Sequence, residues 1–402
     1  MEVILLNRNY KILWLTFLVS NFGDWLRKLA LPLLVFEKTG SPFHMATLYG
    51  ISFLPWILFS LVGGILADKF KKVYIISICH LISLVILSLL IISFKNDNIL
   101  LLLIYILTFL LSSTEPLVHP AFQSLLPQIV TDNQLSKANS GIQLIDNTLN
   151  LIGPMISGSV LLLINPAKVL WVNALTFLIA SALILCIKTP ENTLVNISKK
   201  ESLSKTISIG LHYVKNDKII LSGAILFFGT NFAIHIFQAN LVYYITDVLG
   251  YTSFHYGLIL SIAGVGAILG AILAPELIKK FRYGKILSIS TMLAGLSTML
   301  LSINTNYIYM GVFLGLSNMF GNINAITYFT LRQKVVKKEM LGRVVSITRM
   351  ISFASIPLGA YLGGILVSHN LTIISILILA GTIRFLAGGF SYFSPLTKSK
   401  NY

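Results

Sequence analysis

Long apolar runs separated by short polar stops recur along the whole 402-residue chain. A helix needs ~20 mostly apolar residues to cross a bilayer. Runs of that kind predict twelve spans, near 11–36, 43–67, 73–94, 99–126, 134–164, 168–187, 218–246, 254–279, 284–303, 307–331, 343–367 and 371–393. The longest polar stretch, 188–217, falls between the sixth and seventh spans and is basic and partly amphipathic. The expected architecture is therefore an all-α polytopic membrane protein: a six-helix half over 1–187, a cytoplasmic linker over 188–217, and a second six-helix half over 218–402. The halves repeat at a nearly constant offset. LSKANSG at 135–141 aligns with LGRVVSI at 341–347, and the same shift of 206 sets Gly153 on Gly359, Gly158 on Gly364 and Phe22-Gly23 on Phe228-Gly229.

Composition agrees with this picture. The chain is 55% hydrophobic and only 11% charged, whereas a soluble domain carries about a quarter charged residues. Its formal charge of +16 would point a soluble protein toward nucleic acid. Here the bases cluster on alternate loops: Lys69, Lys71 and Lys72; Lys188 to Lys218; Lys279 to Lys285; Arg332 to Arg343. The intervening loops hold only Lys38, Lys95 and Lys168. That is the positive-inside pattern; it predicts a multi-pass plasma-membrane protein with both termini cytoplasmic and no nucleic-acid partner. The two cysteines, Cys79 and Cys186, lie inside apolar runs, so neither a disulfide framework nor a metal site is expected. The first apolar run carries Asp24 and Arg27 and is too long for a cleaved signal. There is no nucleotide-binding glycine loop, no H-E-x-x-H and no large cytosolic domain. Enzymatic and ATP-driven readings are excluded on that ground, and no cofactor is expected.

Polar residues inside a bilayer are costly and mark function by default. Asn21, Asp24 and Lys28 share one face of helix 1, with Arg27 placed to pair with Asp24. Glu115, His119 and Gln123 follow at successive fours on helix 4. Helix 5 carries Gln143, Asp146, Asn147 and Asn150; helix 7 carries Asn231, His235 and Gln238; helix 10 carries Asn318 and Asn322. Arg349 on helix 11 either faces the cavity or pairs with Asp146, and Arg384 on helix 12 reads as a snorkelling side chain. Such stripes must face protein or water rather than lipid. Proton coupling requires a carboxylate that can gain and lose a proton. Glu115 and Asp146 lead, His119 is one turn from Glu115 and able to share its proton, and Asp24 follows. The acids Asp24, Glu115 and Asp146 are balanced by Arg27, Lys28 and Arg349, which keeps zwitterionic, neutral and anionic substrates open beside cationic ones.

Two motifs carry a family resemblance. GGILADKFKK at 63–72 resembles the loop after helix 2 in the major facilitator superfamily: Gly64, Leu66, Ala67, Asp68, Lys69 and Lys72 match, while Lys71 replaces a glycine and Val73 a base. NLIGPMISGSV at 150–160 resembles the helix 5 motif of its export branch through Gly153, Pro154 and Gly158, with Leu149 and Ser157 replacing small residues. HPAFQSLLPQIVTDNQLSKANSG at 119–141 is similar to the helix 4–5 link of the macrolide-efflux and siderophore-exporter branch of drug:proton antiporters. The resemblance implies the major facilitator fold, with helices 1, 4, 7 and 10 around a central pathway. It implies a monomeric secondary transporter exporting a small amphipathic drug, antibiotic or metabolite in exchange for protons. Alternatives within transport are export of an endogenous siderophore or peptide metabolite, and a nutrient uptake symporter, against which the helix 5 motif argues. It also nominates Asp68 as a latch against the start of helix 11 near Gly342-Arg343, closing the cytoplasmic side in the outward-open state.

Overall fold

The computed structural model describes residues 7–94, 101–188, 203–336 and 338–398. The described chain is helical throughout, with no strand. In order the helices are α1 (Arg8–Thr39), α2 (Pro42–Ile51), α3 (Leu54–Lys69), α4 (Lys72–Ser93), α5 (Leu101–Ser112), α6 (Glu115–Ile129), α7 (Asp132–Leu163) and α8 (Pro166–Leu185). The linker contributes α9 (Leu203–Asn216). Then come α10 (Lys218–Gln238), α11 (Leu241–Tyr243) with a π-helical turn at Tyr244–Val248, α12 (Ser253–Lys280), α13 (Tyr283–Leu300), α14 (Tyr307–Val335), α15 (Lys338–Ser368), α16 (Ile373–Tyr392) and α17 (Pro395–Lys398). Among the described residues eight helical segments are long and apolar enough to cross a membrane. α1, α7, α13 and α14, of 32, 32, 18 and 29 residues, are long enough but fall outside that set. The apolar run of α1 is interrupted by Asp24, Arg27 and Lys28, and that of α7 by Asp146, Asn147 and Asn150.

Three expected spans are broken rather than continuous. α2 gives way to α3 at Ser52–Phe53, and Pro55 sits in the first turn of α3. α5 gives way to α6 at Ser113–Thr114, with Pro116 in the first turn of α6. A proline has no N–H to return to the preceding turn, so each break falls where the ladder would have lost a bond anyway. The third break, at Ala239–Asn240, lacks a proline; there the Asn240 side chain donates to the Ile236 carbonyl (3.4 Å).

The helices are turned inside out relative to those of a soluble protein. On α4, Ile78, Ile82, Val85, Leu89 and Ile92 form an exposed stripe, while Ile76, Ser83, Leu87 and Leu90 are buried. Lipid, not water, is the solvent that such a stripe fits.

The chain groups into two compact units, Met1–Lys38 with Ile51–Lys200, and Thr39–Gly50 with Glu201–Tyr402. Within the first, α3 packs on α6 and α4 on α8; within the second, α12 packs on α14 and α13 on α16. The pairings repeat because the sequence repeats. Residues 39–50, early in the chain, group with the second unit: Ala46 packs with Ala239 and Ala360. The linker helix α9 also packs in the second unit, burying Val214 among Ile220, Val336, Val344 and Ile347.

Small residues set the closest approaches. A Cβ on Gly63 would stand 2.1 Å from the Pro116 carbonyl oxygen, so α3 and α6 touch backbone to backbone there. Gly64, the glycine of the expected motif, has open space where its Cβ would be. Lys69 is exposed and Lys72 is buried at the start of α4. The side chains of Asp68 and Arg343, and so the expected latch, lie outside the described residues. In α7, Gly153, Pro154 and Gly158 are all buried. A Cβ on Gly153 would press to 2.8 Å from the Trp25 ring, which ties the helix 5 motif to α1.

Candidate functional site

The first unit encloses a cavity of about 570 Å³, within the range of small-molecule sites. Its walls come from α1, α3, α4, α5, α6, α7 and α8, and hold most of the ionisable residues expected in the first half. Asn21, Asp24, Lys28, Glu115, His119 and Asp146 all line it.

The break between α5 and α6 explains the position of Glu115. It lies in the first turn of α6 rather than mid-helix, beside the positive end of a helix dipole and the free N–H groups of that turn. A cation meets it from α1. One nitrogen of Arg27, Nη2, donates both to Asp24 Oδ1 (3.0 Å) and to Glu115 Oε1 (2.8 Å). Trp56 of α3 donates its Nε1 hydrogen to the other oxygen of Glu115 (3.3 Å). Arg27 is buried, whereas the Glu115 side chain is 38% exposed to the cavity. The guanidinium thus joins α1 to α6, Trp56 ties α3 to the same carboxylate, and Arg27 Nε is buried without an acceptor among the described residues. Lys28 lies over the Trp25 ring at 4.6 Å and within electrostatic reach of Asp146. His119 packs edge-on against Trp56, with ring centroids 5.7 Å apart, and its Nε2 stands 3.4 Å from Gln123 Nε2.

Other expected residues are placed differently. The side chain of Gln143 lies outside the described residues, and Asn147 is exposed on α7 beyond the cavity wall. In the second unit, Asn231 donates to the Ser352 carbonyl (3.1 Å), and His235 Nδ1 contacts the Tyr49 hydroxyl (2.9 Å). Gln238 is exposed. Asn318 and Asn322 direct their amides at the carbonyls of Ala263 (3.4 Å) and Ala267 (2.6 Å), stapling α14 to α12. Arg349 is exposed, 5.9 Å from the Phe353 ring. Arg384 does not snorkel: it is 2% exposed, and its Nη1 donates to Ser317 Oγ (2.7 Å).

Helical spacing pairs Arg27 with Asp24 but gives no hint of its link to Glu115. Nor does it single out Trp56, His80, Ser83, Thr114 and Phe177 as wall residues. Only His80 carries a signal in the sequence, as a lone imidazole in the apolar run 73–94.

A family model described as transmembrane secretion effector, one of the MFS families, matches residues 4–402. The MFS-type transporter YfiS of Bacillus subtilis is 25% identical over 70% of this chain and 66% of its own length, so the chain spans about two thirds of that relative. The multidrug efflux pump Tap of Mycobacterium tuberculosis is 23% identical over 86% of this chain and 84% of its own. The staphyloferrin A transporter of Staphylococcus aureus is 24% identical over 85% of each. Among solved structures, the nucleoside transporter NupG superposes with a TM-score of 0.76 at 13% identity, covering 96% of this chain and 99% of that one. A bacterial homologue of the iron transporter ferroportin, in its inward-facing state, gives 0.71 at 15% identity, covering 96% and 98%. These structural likenesses concern the fold alone.

Proposed function

Since the chain belongs to the major facilitator superfamily and is a multi-pass transporter of small molecules rather than an enzyme, we propose that it exports a small amphipathic compound across the cell membrane by proton-coupled alternating access. It works as a monomer with both termini in the cytoplasm. The observation that carries the reading is the Arg27 bridge. A guanidinium held by two carboxylates in a cavity loses one of its two partners when Glu115 is protonated and regains it when the proton leaves, so proton binding can open and close the link between α1 and α6. Glu115 is the coupling acid, since its side chain is more exposed to the cavity than that of Asp24. Asp146, opposed by Lys28, is the second acid, and His119 shares the proton of the first. Asn21 and Lys28 contact the substrate, and Asp68 latches the cytoplasmic side. Export rather than uptake is supported by the helix 5 motif Gly153-Pro154 with Gly158 and by the likeness to the efflux pump Tap. Export of a self-made chelator is the second reading, favoured by the staphyloferrin A transporter at 24% identity.

The test is purified protein in liposomes holding a trapped pH dye, with candidate compounds added under an imposed pH gradient. Substrate-dependent proton flux is expected for the native chain and its loss in Glu115→Gln with Asp146→Asn. Compound movement indifferent to the gradient would refute proton coupling, and retained coupling in the double variant would refute the assignment of the acids.

A further inference from the structure

The cavity reaches beyond the Arg27 bridge to α4 and α8, where His80, Ser83, Thr114 and Phe177 form its wall. His80 is 7% exposed, stacks against Phe177 with ring centroids 5.8 Å apart, and makes no hydrogen bond to the described residues. On the cavity wall its ring is open to a bound molecule or to water.

The hydroxyl protons around it are already committed. Thr114 Oγ1 donates to the Leu111 carbonyl (2.8 Å), so its 2.8 Å contact with Ser83 Oγ consumes the proton of Ser83. Thr16 donates to the Ile12 carbonyl (2.8 Å), and Ser20 points at the Phe17 carbonyl (3.4 Å). Trp56 gives its only N–H to Glu115. These walls therefore present lone pairs inward. Carboxylates offer only acceptors, and the cavity lining holds three of them against the two cations Arg27 and Lys28. Donors are present too, on Arg27, Lys28, Asn21 and Gln123, but they stand on α1 and α6; the α4 wall of Ser83 offers an acceptor oxygen, the ionised lining as a whole carries one more acid than base, and the Phe177 ring lies alongside.

We propose that this end of the cavity is a head-group subsite for a protonated primary or secondary amine, recognised by its N–H donors as well as its charge. The proposal rests on the cavity being the transport site and narrows the substrate class to amine-bearing amphipaths, zwitterions included. A quaternary ammonium has the charge without the donors, and an anion has neither.

The experiment uses Ser83→Cys in a Cys79→Ala, Cys186→Ser background, purified in detergent, and the same background without the reporter sets the baseline. Three methanethiosulfonate reagents of one chemistry, bearing aminoethyl, trimethylammonium-ethyl or sulfonatoethyl groups, are compared after dividing by their rates on a free thiol. The neutral methyl reagent reports access. One charge-assisted hydrogen bond of about 1.5 kcal/mol makes the aminoethyl reagent about tenfold faster than the trimethylammonium reagent; the sulfonate should be slowest. Asp24→Asn with Glu115→Gln leaves Arg27 and Lys28 against Asp146 alone, so the order should invert and the sulfonate should become the fastest of the three. Ser20→Cys, also on the wall, is the second reporter should Ser83→Cys misfold. With both acids in place, equal rates for the two cations, a sulfonate as fast as the amine, or no reaction of the neutral reagent at either cysteine overturns the proposal. The assay involves no pH gradient, so its failure leaves proton-driven export standing, and loss of gradient-driven flux leaves this result standing.

Discussion

Replacing Arg27 by methionine removes the cation and keeps most of the side-chain volume. Asp24 and Glu115, whose oxygens both sit within 3.0 Å of Arg27 Nη2, then face each other without the cation that bridges them, and Lys28 is the remaining base of the cavity. Removing one partner of a buried pair costs about 3–5 kcal/mol. Glu115 is 38% exposed, and solvent screening brings the expected loss to the lower end, about 3 kcal/mol. For a unit of this size, at roughly 2–4 °C per kcal/mol, that is a fall in Tm of about 6–12 °C. The assay is thermal unfolding of detergent-purified protein followed by tryptophan fluorescence at one scan rate, because membrane proteins unfold irreversibly and only ranks at fixed rate compare. The decisive arm is rescue. Arg27→Met combined with Asp24→Asn and Glu115→Gln removes the uncompensated charges, so stability should return to within a few degrees of the parent. If Arg27→Met melted with the parent, or if the triple variant stayed as unstable as the single one, the bridge would not be the element that holds α1 and α6 at this site.

Close contacts elsewhere lead to three further expected outcomes. Gly63→Ala should cost about 1–3 kcal/mol through overpacking, since its Cβ would fall 2.1 Å from the Pro116 oxygen, whereas Gly64→Ala has open space and should leave Tm unchanged. Arg384→Ala should be far more damaging than Arg384→Met, because the alanine leaves a void where the 2% exposed side chain stood, while an apolar side chain of similar volume often replaces a buried charge at no loss; folded yield on gel filtration ranks the two. Tyr49→Phe should lose about 1 kcal/mol in thermal unfolding, the net worth of one hydrogen bond, and His235→Phe with it should add little more if their 2.9 Å contact is the shared interaction.

Legibility along this chain tracked the kind of interaction involved. A bilayer imposes one rule on every spanning segment, an apolar run of fixed minimum length, so the membrane class and the approximate helices could be read from local pattern alone, while the breaks inside three of them could not. The stripe spacing likewise brought Asn21, Asp24 and Lys28 to one face of α1, and that face lines the cavity. The motif glycines were half legible. GG at 63–64 announced a close approach, but only the rotation of α3 decided that Gly63, not Gly64, meets the neighbouring backbone.

The sequence by itself determined the properties set by one-dimensional spacing: membrane class, the approximate helices, the internal repeat, and which helices carry ionisable stripes. The tertiary structure decided which groups share a space. It set one amide hydrogen each of Asn318 and Asn322 on α12 carbonyls, and Arg384, which read as a snorkelling side chain, is buried where α16 meets α14. Arg27 and Glu115 lie 88 positions apart and meet because a proline-marked break turns α6 and starts a new helix at the acid. No local pattern encodes such a meeting. Ion pairs, hydrogen-bond accounts and cavities depend on distances between side chains from different helices, and those exist only once the helices are packed.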